Sequence, residues 1–365
     1  MTIFIYAILI FLVIRFSVTV FNFLSNPQLP RAIKHYKDKV SILIPARDEA
    51  DNILQLLQSI KEQDYSNYEV IVLDDGSKDA TFNIVSDFSK ENRQFKVVKG
   101  AELPADWLGK NFACHQLAEI ASGKYLLFID ADEVIKRGLI NSLIFRVETN
   151  ELSLLSLFAN QQMITLGEKL TVPLMHFILL NLLPLRLIRL SKNPAFSAAS
   201  GQCMFFSAAN YRDNNWHFRV KNQVVEDVEI IKQLKQDGFK TEALLANGLI
   251  YCRMYKNLNE SINGFSKNLL AGFGNNIIIL LLYQLLVIIG PLTLILNLNV
   301  SLLVLPLTLI VLSRLMISFL SGQNVVLNLV LHPLQMLFFF LISIISIKNH
   351  LFKKGIWKGR LIRQI

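Results

Sequence analysis

The stretch YLLFIDADEVI, Tyr125–Ile135, runs from five apolar or aromatic residues straight into two aspartates separated by one alanine. A third acid, Glu133, follows at once. Carboxylates packed this closely repel one another and cost free energy when they are partly buried. A chain that keeps Asp130 and Asp132 together is therefore expected to hold a cation there. The apolar run before them predicts a buried strand that delivers them.

This run is the fourth short apolar segment in a repeating pattern of strands and helices. The residues between the runs place apolar side chains at helical spacing, which predicts helices over 52–63, 80–88 and 110–121. Such alternation is typical of βαβ units and predicts an α/β fold with a mostly parallel sheet. The four predicted strands are VSILIP (40–45), YEVIVLD (68–74), FKVVK (95–99) and YLLFID (125–130).

Acidic residues follow three of these four predicted strands. In parallel sheets ligands bind beyond the carboxyl ends of the strands, so the acids are expected to meet at one edge. Each group alone also fits an ordinary helix start or turn, and only their coincidence predicts a site. The acids are Asp48 and Glu49 after the first strand, Asp74 and Asp75 at the second, and Asp130 and Asp132 at the fourth.

The two ends of the chain are strongly apolar. Of its 365 residues 52 % are hydrophobic, and residues 1–24 carry a single charge, Arg15. This length suits one membrane-spanning helix, and the absence of an obvious cleavage pattern predicts an uncleaved anchor. The basic run RAIKHYKDK (31–39) places the following domain in the cytoplasm.

Three further apolar stretches of spanning length cover 277–298, 300–320 and 325–347. The tail 348–365 is basic and is also expected to be cytoplasmic. With residues 31–270 in the cytoplasm, four full spans would put the tail outside, so one segment is expected to be re-entrant or interfacial. The three cysteines show no metal or disulfide spacing and are expected to be structural thiols.

Several motifs resemble the nucleotide-sugar domain of family 2 glycosyltransferases, which has the GT-A fold. A longer stretch, 102–132, resembles the membrane-bound branch that includes 4,4'-diaponeurosporenoate (carotenoid) and hopanoid-associated glycosyltransferases. The resemblance implies an anchor at 1–24, a GT-A domain at 38–270, membrane helices at 277–347 and a cytoplasmic tail. The motifs that carry it are PARDEA (45–50), VLDDGSKDAT (72–81), LLFIDADE (126–133), SAASGQCMFF (197–206), CRMYKNLNESINGFSKNL (252–269) and GIWKGR (355–360).

In that family a divalent metal, Mg²⁺ or Mn²⁺, bridges the paired aspartates and the diphosphate, and hard cations favour such oxygen ligands. The resemblance makes Asp132 the expected direct ligand, with Asp130 a metal ligand or nearer the ribose. Asp74 or Asp75 would hold the base, and Lys110 the diphosphate. The full set expected at the nucleotide sugar is Pro45, Arg47, Glu49, Asp74, Asp75, Lys110 and Asp130.

An acidic pair, Glu226 and Asp227, begins the predicted helix in NQVVEDVEIIKQL (222–234). Carboxylates at a helix start are expected to stay ionised. The family places its catalytic base in such a pair, usually at the second acid, which implies Asp227 with Glu226 beside it. Taken alone, the pair also fits ordinary charge at a helix start.

Two departures from the family pattern matter. The QxxRW motif of processive synthases is missing, with Arg253 the nearest basic residue, which favours transfer of a single sugar. Glu133 stands where relatives often carry a small or hydroxyl residue. It either alters the metal preference or faces solvent.

The segment 172–192 is apolar and then basic, at Arg186, Arg189 and Lys192. It predicts an interfacial helix with its cations among lipid headgroups, and a buried core helix is equally compatible. Membrane segments at both ends favour a lipid acceptor.

The predicted function is inverting transfer of one sugar from a nucleotide sugar, UDP-glucose by default, to a carotenoid or hopanoid lipid at the inner membrane. The alternatives are a polyprenyl-phosphate glycosyltransferase and a non-catalytic sugar-nucleotide-binding scaffold. A nucleotidyltransferase would show a glycine-rich loop after the first strand, which PARDEA is not. No nucleic-acid partner is expected.

Overall fold

The computed structural model describes residues 2–352, 356–357 and 360–361. The chain divides into two compact units. The sheet unit comprises Gln28–Asn160 and Leu185–Arg253, and the helical unit comprises Met1–Pro27, Gln161–Pro184 and Met254–Ile365. Half of the predicted basic tail, at 353–355, 358–359 and 362–365, lies outside the described residues.

The strands are β1 (Val40–Ala46), β2 (Tyr68–Asp74), β3 (Phe95–Lys99), β4 (Tyr125–Ile129), β5 (Glu133–Ile135), β6 (Leu154–Phe158), β7 (Asn160–Gln161), β8 (Cys203–Ser207), β9 (Thr241–Leu245), β10 (Ile250–Cys252), β11 (Ile356–Trp357) and β12 (Arg360–Leu361).

The helices are α1 (Thr2–Ser25), α2 (Ile53–Lys61), α3 (Thr81–Glu91), α4 (Gly109–Ile120), α5 (Leu139–Asn150), α6 (Leu166–Thr171), α7 (Pro173–Leu182), α8 (Arg186–Leu190), α9 (Ala208–Asn214), α10 (Trp216–Arg219), α11 (Glu226–Gln236), α12 (Leu258–Gly272), α13 (Ile277–Gln284), α14 (Gly290–Asn297), α15 (Val300–Leu320), α16 (Val325–Val330) and α17 (His332–Leu351), with a π-helical turn at Leu285–Ile289 between α13 and α14.

A seven-stranded sheet forms the core of the sheet unit, in the order β3-β2-β1-β4-β8-β6-β9. Only β8 runs against the others, because it pairs antiparallel with both β4 and β6. All five residues of β4, β6 and β9 are buried, as expected for strands covered on both faces. The prediction of a mostly parallel α/β sheet is confirmed, and β1 to β4 fall where the apolar runs predicted them.

The chain changes direction across the sheet between β1 and β4. It adds β2 and β3 on one side of β1 and then returns to place β4 on the other side. Parallel pairing of β1 with β4 ends at Leu43 and Phe128, so the two strands separate beyond that point. Such a topological switch point is where ligands bind in open α/β sheets.

The predicted interfacial helix at 172–192 is not one helix. α7 ends at Leu182 and α8 begins at Arg186, and the two belong to different units. Arg186 and Arg189 lie 3.5 and 3.1 Å from Glu242 Oε1, a fully buried carboxylate on β9. The expectation that these cations lie among lipid headgroups is therefore wrong, because a buried acid requires them as partners.

The helical unit contains four helices that are long and apolar enough to span a membrane. They are Thr2–Ser25, Ile277–Asn297, Val300–Leu320 and His332–Leu351. The last begins seven residues later than the predicted 325, because the short helix α16 and a turn precede Pro333, which takes the first turn of α17. Residues 254–270, placed in the GT-A domain by sequence, belong to this unit.

Glu69 on β2 ties together the strands that build the switch point. Its carboxylate accepts hydrogen bonds from Ser41 Oγ at 2.6 Å, Ser122 N at 2.8 Å and Ser122 Oγ at 2.6 Å. Burial alone would raise the pKa of Glu69, but these hydrogen bonds and Lys39 outweigh it and lower the pKa to about 2. The carboxylate therefore stabilises the fold above its ordinary pKa, and this stabilisation is lost as the pH falls towards 2.

We expect Glu69→Gln to reduce the free energy of unfolding by about 1–3 kcal/mol, because the neutral amide accepts these bonds less strongly. Thermal unfolding of the detergent-solubilised full chain measures it at neutral pH and at pH 3, where the difference should shrink. Glu91→Gln, at the exposed end of α3, is the matched control. Equal melting temperatures for both variants at neutral pH would contradict the role of Glu69.

Candidate active site

The two acids at the end of β2 have different surroundings. Asp75 is paired with Arg47, whose Nη1 donates to the Asp75 backbone oxygen at 2.6 Å and lies 3.8 Å from Oδ2. Asp74 is buried, and its Oδ2 accepts from Ser77 N at 3.3 Å. Its Oδ1 has no donor among the described residues. A buried acceptor without a donor is costly, so this oxygen is suited to an N–H group of a ligand.

The loop after β1 is held against the loop after β2. Asp48 adopts a positive φ of 51°, donates its N–H to Ser77 Oγ at 3.0 Å and accepts from Lys78 N at 2.7 Å. Pro45 lies two residues beyond the last pair between β1 and β4, so its missing N–H falls where that pairing has ended. The two hydrogen bonds of Asp48 thus give it a structural role, since they hold the loops after β1 and β2 together.

Lys110 lies at the centre of the site. Its Nζ is 2.8 Å from Asp130 Oδ1, 3.6 Å from Glu226 Oε1 and 3.4 Å from the Gly201 carbonyl oxygen. Burial alone would lower the pKa of Lys110, but Asp130 and Glu226 outweigh it and raise the pKa well above its ordinary value. Only a quarter of the Lys110 side chain is exposed, and its ammonium is paired with Asp130.

Glu226 and Asp227 begin α11, as predicted, and both are within the charge cluster around Lys110. Asp227 Oδ2 accepts from Gly201 N at 2.8 Å and Oδ1 from Val228 N at 2.8 Å, which fixes its direction. Burial works against the ionisation expected of both acids at a helix start. Burial raises the pKa of each, and their mutual repulsion adds to it at Glu226.

Asp132 belongs to a group with Glu133 and Cys252 whose ligand atoms are all within 4.8 Å of one another. Cys252 Sγ donates to Asp132 Oδ2 at 3.6 Å. Glu133 is 1 % exposed, and neither of its oxygens has a hydrogen-bond partner among the described residues within the ordinary distance limits. The alternative that Glu133 faces solvent is therefore wrong.

The charges of this group fit a bound cation. Burial raises the pKa of Asp132, and Asp130 and Glu49 add to this. Burial likewise raises the pKa of Glu133, with Asp132 and Asp130 adding to it. A divalent cation on these carboxylates would relieve both the repulsion and the unmet oxygens. The adjacent thiol of Cys252 is a softer donor, which Mn²⁺ accepts more readily than Mg²⁺.

Every residue expected at the site from sequence lies in the sheet unit. Glu49 Oε2 accepts from Asn52 Nδ2 at 2.8 Å, and its charge helps to raise the pKa of Asp132, so the acids after β1 and β4 are near enough for their charges to interact. Sequence reasoning missed Gly201 and Cys252. Cys252 pairs directly with Glu133 between the short strands β10 and β5, a relation that only the fold reveals.

The comparisons with known proteins agree with this geometry. Residues 41–213 match the family model described as glycosyl transferase family 2. The 4,4'-diaponeurosporenoate glycosyltransferase of Staphylococcus haemolyticus is 24 % identical over 240 residues, which cover 64 % of this chain and 61 % of that protein. The glycosyltransferase AglE of Haloferax volcanii is 35 % identical over 95 residues, or 26 % of this chain and 30 % of that protein.

Among solved structures, a mannosyltransferase from Pyrobaculum calidifontis, in complex with GDP-Man and Mn²⁺, superposes with a TM-score of 0.58. It is 14 % identical, and the match covers 96 % of this chain and all of that one, which supports the fold. The chain spans less than two thirds of the length of the first curated relatives it matches. The sheet, its acidic edge and the family match together show that the chain carries a family 2 glycosyltransferase domain of the GT-A fold.

Proposed function

We propose that the chain transfers a single sugar, with inversion, from a nucleotide sugar to a membrane lipid. The observation that carries the proposal is the meeting of Asp130, from the end of β4, with the Glu226–Asp227 pair around the Lys110 ammonium. A non-catalytic scaffold would need the nucleotide contacts but would have no use for a buried acidic pair of raised pKa.

The base of the nucleotide is assigned to Asp74 rather than Asp75. Asp74 Oδ1 is buried without a donor, whereas Asp75 is occupied by Arg47. A carboxylate oxygen is the acceptor that the imide N–H of uracil requires, which supports a UDP-linked donor. UDP-glucose remains the default sugar nucleotide.

The diphosphate is assigned to Lys110 and to a divalent cation, Mg²⁺ or Mn²⁺. Asp132 would hold the cation, with the oxygens of Glu133 directly behind it, and Asp130 shares its charge with Lys110. When bound, the cation neutralises charge that develops on the leaving diphosphate. Lys110 supplies a second positive charge to the same group, which is why its position between acids matters.

The acceptor is assigned to the membrane on two grounds. The chain contains four apolar helices of spanning length, and one relative bears the name 4,4'-diaponeurosporenoate glycosyltransferase. A carotenoid or hopanoid is the proposed class, with the sheet unit in the cytoplasm and the helices in the inner membrane. The basic run 31–39 supports that orientation.

The test is incubation of membranes containing the full chain with labelled UDP-sugars, followed by mass spectrometry of the lipid extract. We expect a labelled pigment or hopanoid, and at least a hundredfold loss with Asp132→Asn. Asp87→Asn, an exposed pair with Lys90 on α3, is the control and should keep its rate. Full activity of Asp132→Asn would exclude the metal role, and a labelled polyprenyl phosphate would replace the acceptor class.

The acidic pair should separate by role. We expect Asp227→Asn to lower kcat by about 10²- to 10⁴-fold, as for loss of a general base. Glu226→Gln removes a neighbouring negative charge and so lowers the pKa of Asp227. The acidic limb of the rate profile should then move to lower pH while kcat changes less.

Rates of both variants from pH 5 to 9 measure this, with substrate saturating. A loss in Glu226→Gln as large as that in Asp227→Asn, with no shift of the limb, would transfer the role of base to Glu226.

Gly201 offers a test of the Lys110 cluster by a single methyl group. A Cβ there would lie 3.0 Å from Lys110 Nζ and 3.2 Å from Glu226 Oε1. We expect Gly201→Ala to leave the melting temperature nearly unchanged, because flexible side-chain ends can yield, and to weaken UDP-sugar binding. Gly272→Ala, with nothing within 4 Å, is the control. Equal binding by both variants would show that the position of Lys110 is immaterial.

A further inference from the structure

Two arginines of the helical unit are buried without a carboxylate partner. Arg314 on α15 is 0 % exposed and Arg15 on α1 is 7 % exposed. Among the described residues no acid forms an ion pair with either, and Arg15 Nε and Arg314 Nη1 have no acceptor. Buried charges are normally paired, and an unpaired one is costly, most of all in a membrane segment.

The two cations contact the same aromatic ring. Their guanidinium carbons lie 5.1 Å (Arg15) and 5.2 Å (Arg314) from the centroid of one aromatic ring, that of Phe177 on α7. The helices α1, α7 and α15 contact one another, so the pair belongs to a single packed region of the helical unit. Contact with a ring face offsets part of a cation's burial cost but does not neutralise the charge.

The sequence of the helical unit cannot supply the missing negative charge. Its three segments contain only two acidic residues, Glu168 and Glu260. Glu168 accepts from Ile164 N at 2.7 Å in a capping box at the start of α6. Glu260 accepts from Lys256 N at 2.9 Å and Asn257 Nδ2 at 2.6 Å at the start of α12. Both carboxylates already serve helix starts.

Neutral side chains hold Arg314 in place. Its Nη2 donates to Gln335 Oε1 and its Nε to the Asn328 carbonyl oxygen at 3.4 Å. Gln335 in turn donates to the Lys169 carbonyl oxygen at 2.9 Å and to Asn328 Oδ1 at 3.1 Å. This network fixes the orientation of the guanidinium group and leaves the Nη1 donor unsatisfied, as expected of a preorganised binding group.

The surroundings of Arg15 add another donor. Its guanidinium carbon lies 5.6 Å from the ring centroid of Tyr283, which is 5 % exposed. The Tyr283 hydroxyl has no hydrogen-bond partner among the described residues. Two guanidinium groups and one hydroxyl thus collect unmet donors in one apolar region, and an oxyanion supplies the acceptors that all three lack.

We propose that the helical unit binds the oxyanion head of a lipid, a phosphate or a carboxylate, between Arg15 and Arg314. Guanidinium groups bind both kinds of oxyanion through paired N–H donors. The apolar helices around them suit an acyl or isoprenoid chain. The site lies wholly in the helical unit and requires no sugar transfer, so it stands or falls independently of the function proposed for the sheet unit.

The test measures binding to the full chain in a neutral detergent by native mass spectrometry. The probes are dodecyl phosphate, dodecanoate, uncharged dodecanol and inorganic phosphate. We expect one or both anionic amphiphiles to bind at least tenfold more tightly than dodecanol and to raise the melting temperature. The double variant Arg15→Gln/Arg314→Gln should lose that preference, and Arg15→Lys/Arg314→Lys should retain part of it.

Arg137→Gln, an exposed arginine of the sheet unit, is the matched control and should bind like the wild type. In the absence of lipid the double glutamine variant should melt no lower than the wild type, because it removes two unpaired buried charges. Equal binding of the anionic amphiphiles by the wild type and the double variant would overturn the proposal. A wild type with no preference for them over dodecanol would also overturn it. If inorganic phosphate binds as tightly as dodecyl phosphate, the assignment of the ligand as a lipid is overturned.

Discussion

The site depends on one ammonium group among carboxylates. Lys110 begins α4 beyond the carboxyl end of β3 and reaches Asp130 at the end of β4 and Glu226 at the start of α11. Without it, these acids from two separate elements would repel one another in a region of low dielectric constant. Its charge also attracts a diphosphate, so the group that stabilises the empty site is suited to bind the substrate.

Lys110 forms ion pairs with Asp130 and Glu226 but not with every acid at this edge of the sheet. Asp132 and Glu133 face Cys252, and burial raises the pKa of both acids. The edge therefore has one group of carboxylates whose charge Lys110 neutralises and a second group whose charge a bound cation would neutralise. The division assigns different tasks to Asp130 and Asp132, although one residue separates them in the sequence.

The two units treat buried charge in opposite ways. In the sheet unit, the buried carboxylate of Glu242 is met by Arg146 in a two-point contact of 2.6 Å each, with Arg186 and Arg189 beside it. In the helical unit, Arg15 and Arg314 have aromatic and amide neighbours and, within the part of the chain that the structure describes, no acidic partner. A buried charge that is fully neutralised by neighbouring side chains is typical of a structural ion cluster. The unpaired N–H donors in the helical unit are instead groups that a bound anion would satisfy.

The sequence by itself determined the first four strands, the helices between them, the candidate membrane helices and the acids at the strand ends. These follow from local periodicity, because a buried strand and an amphipathic helix each imprint a pattern on neighbouring residues. Only the tertiary structure decided which distant groups meet: Arg186 with Glu242, Cys252 with Asp132, and Arg15 and Arg314 at the ring of Phe177. The members of each set are far apart in the chain, and the rest of the fold, which no local pattern encodes, brings them together.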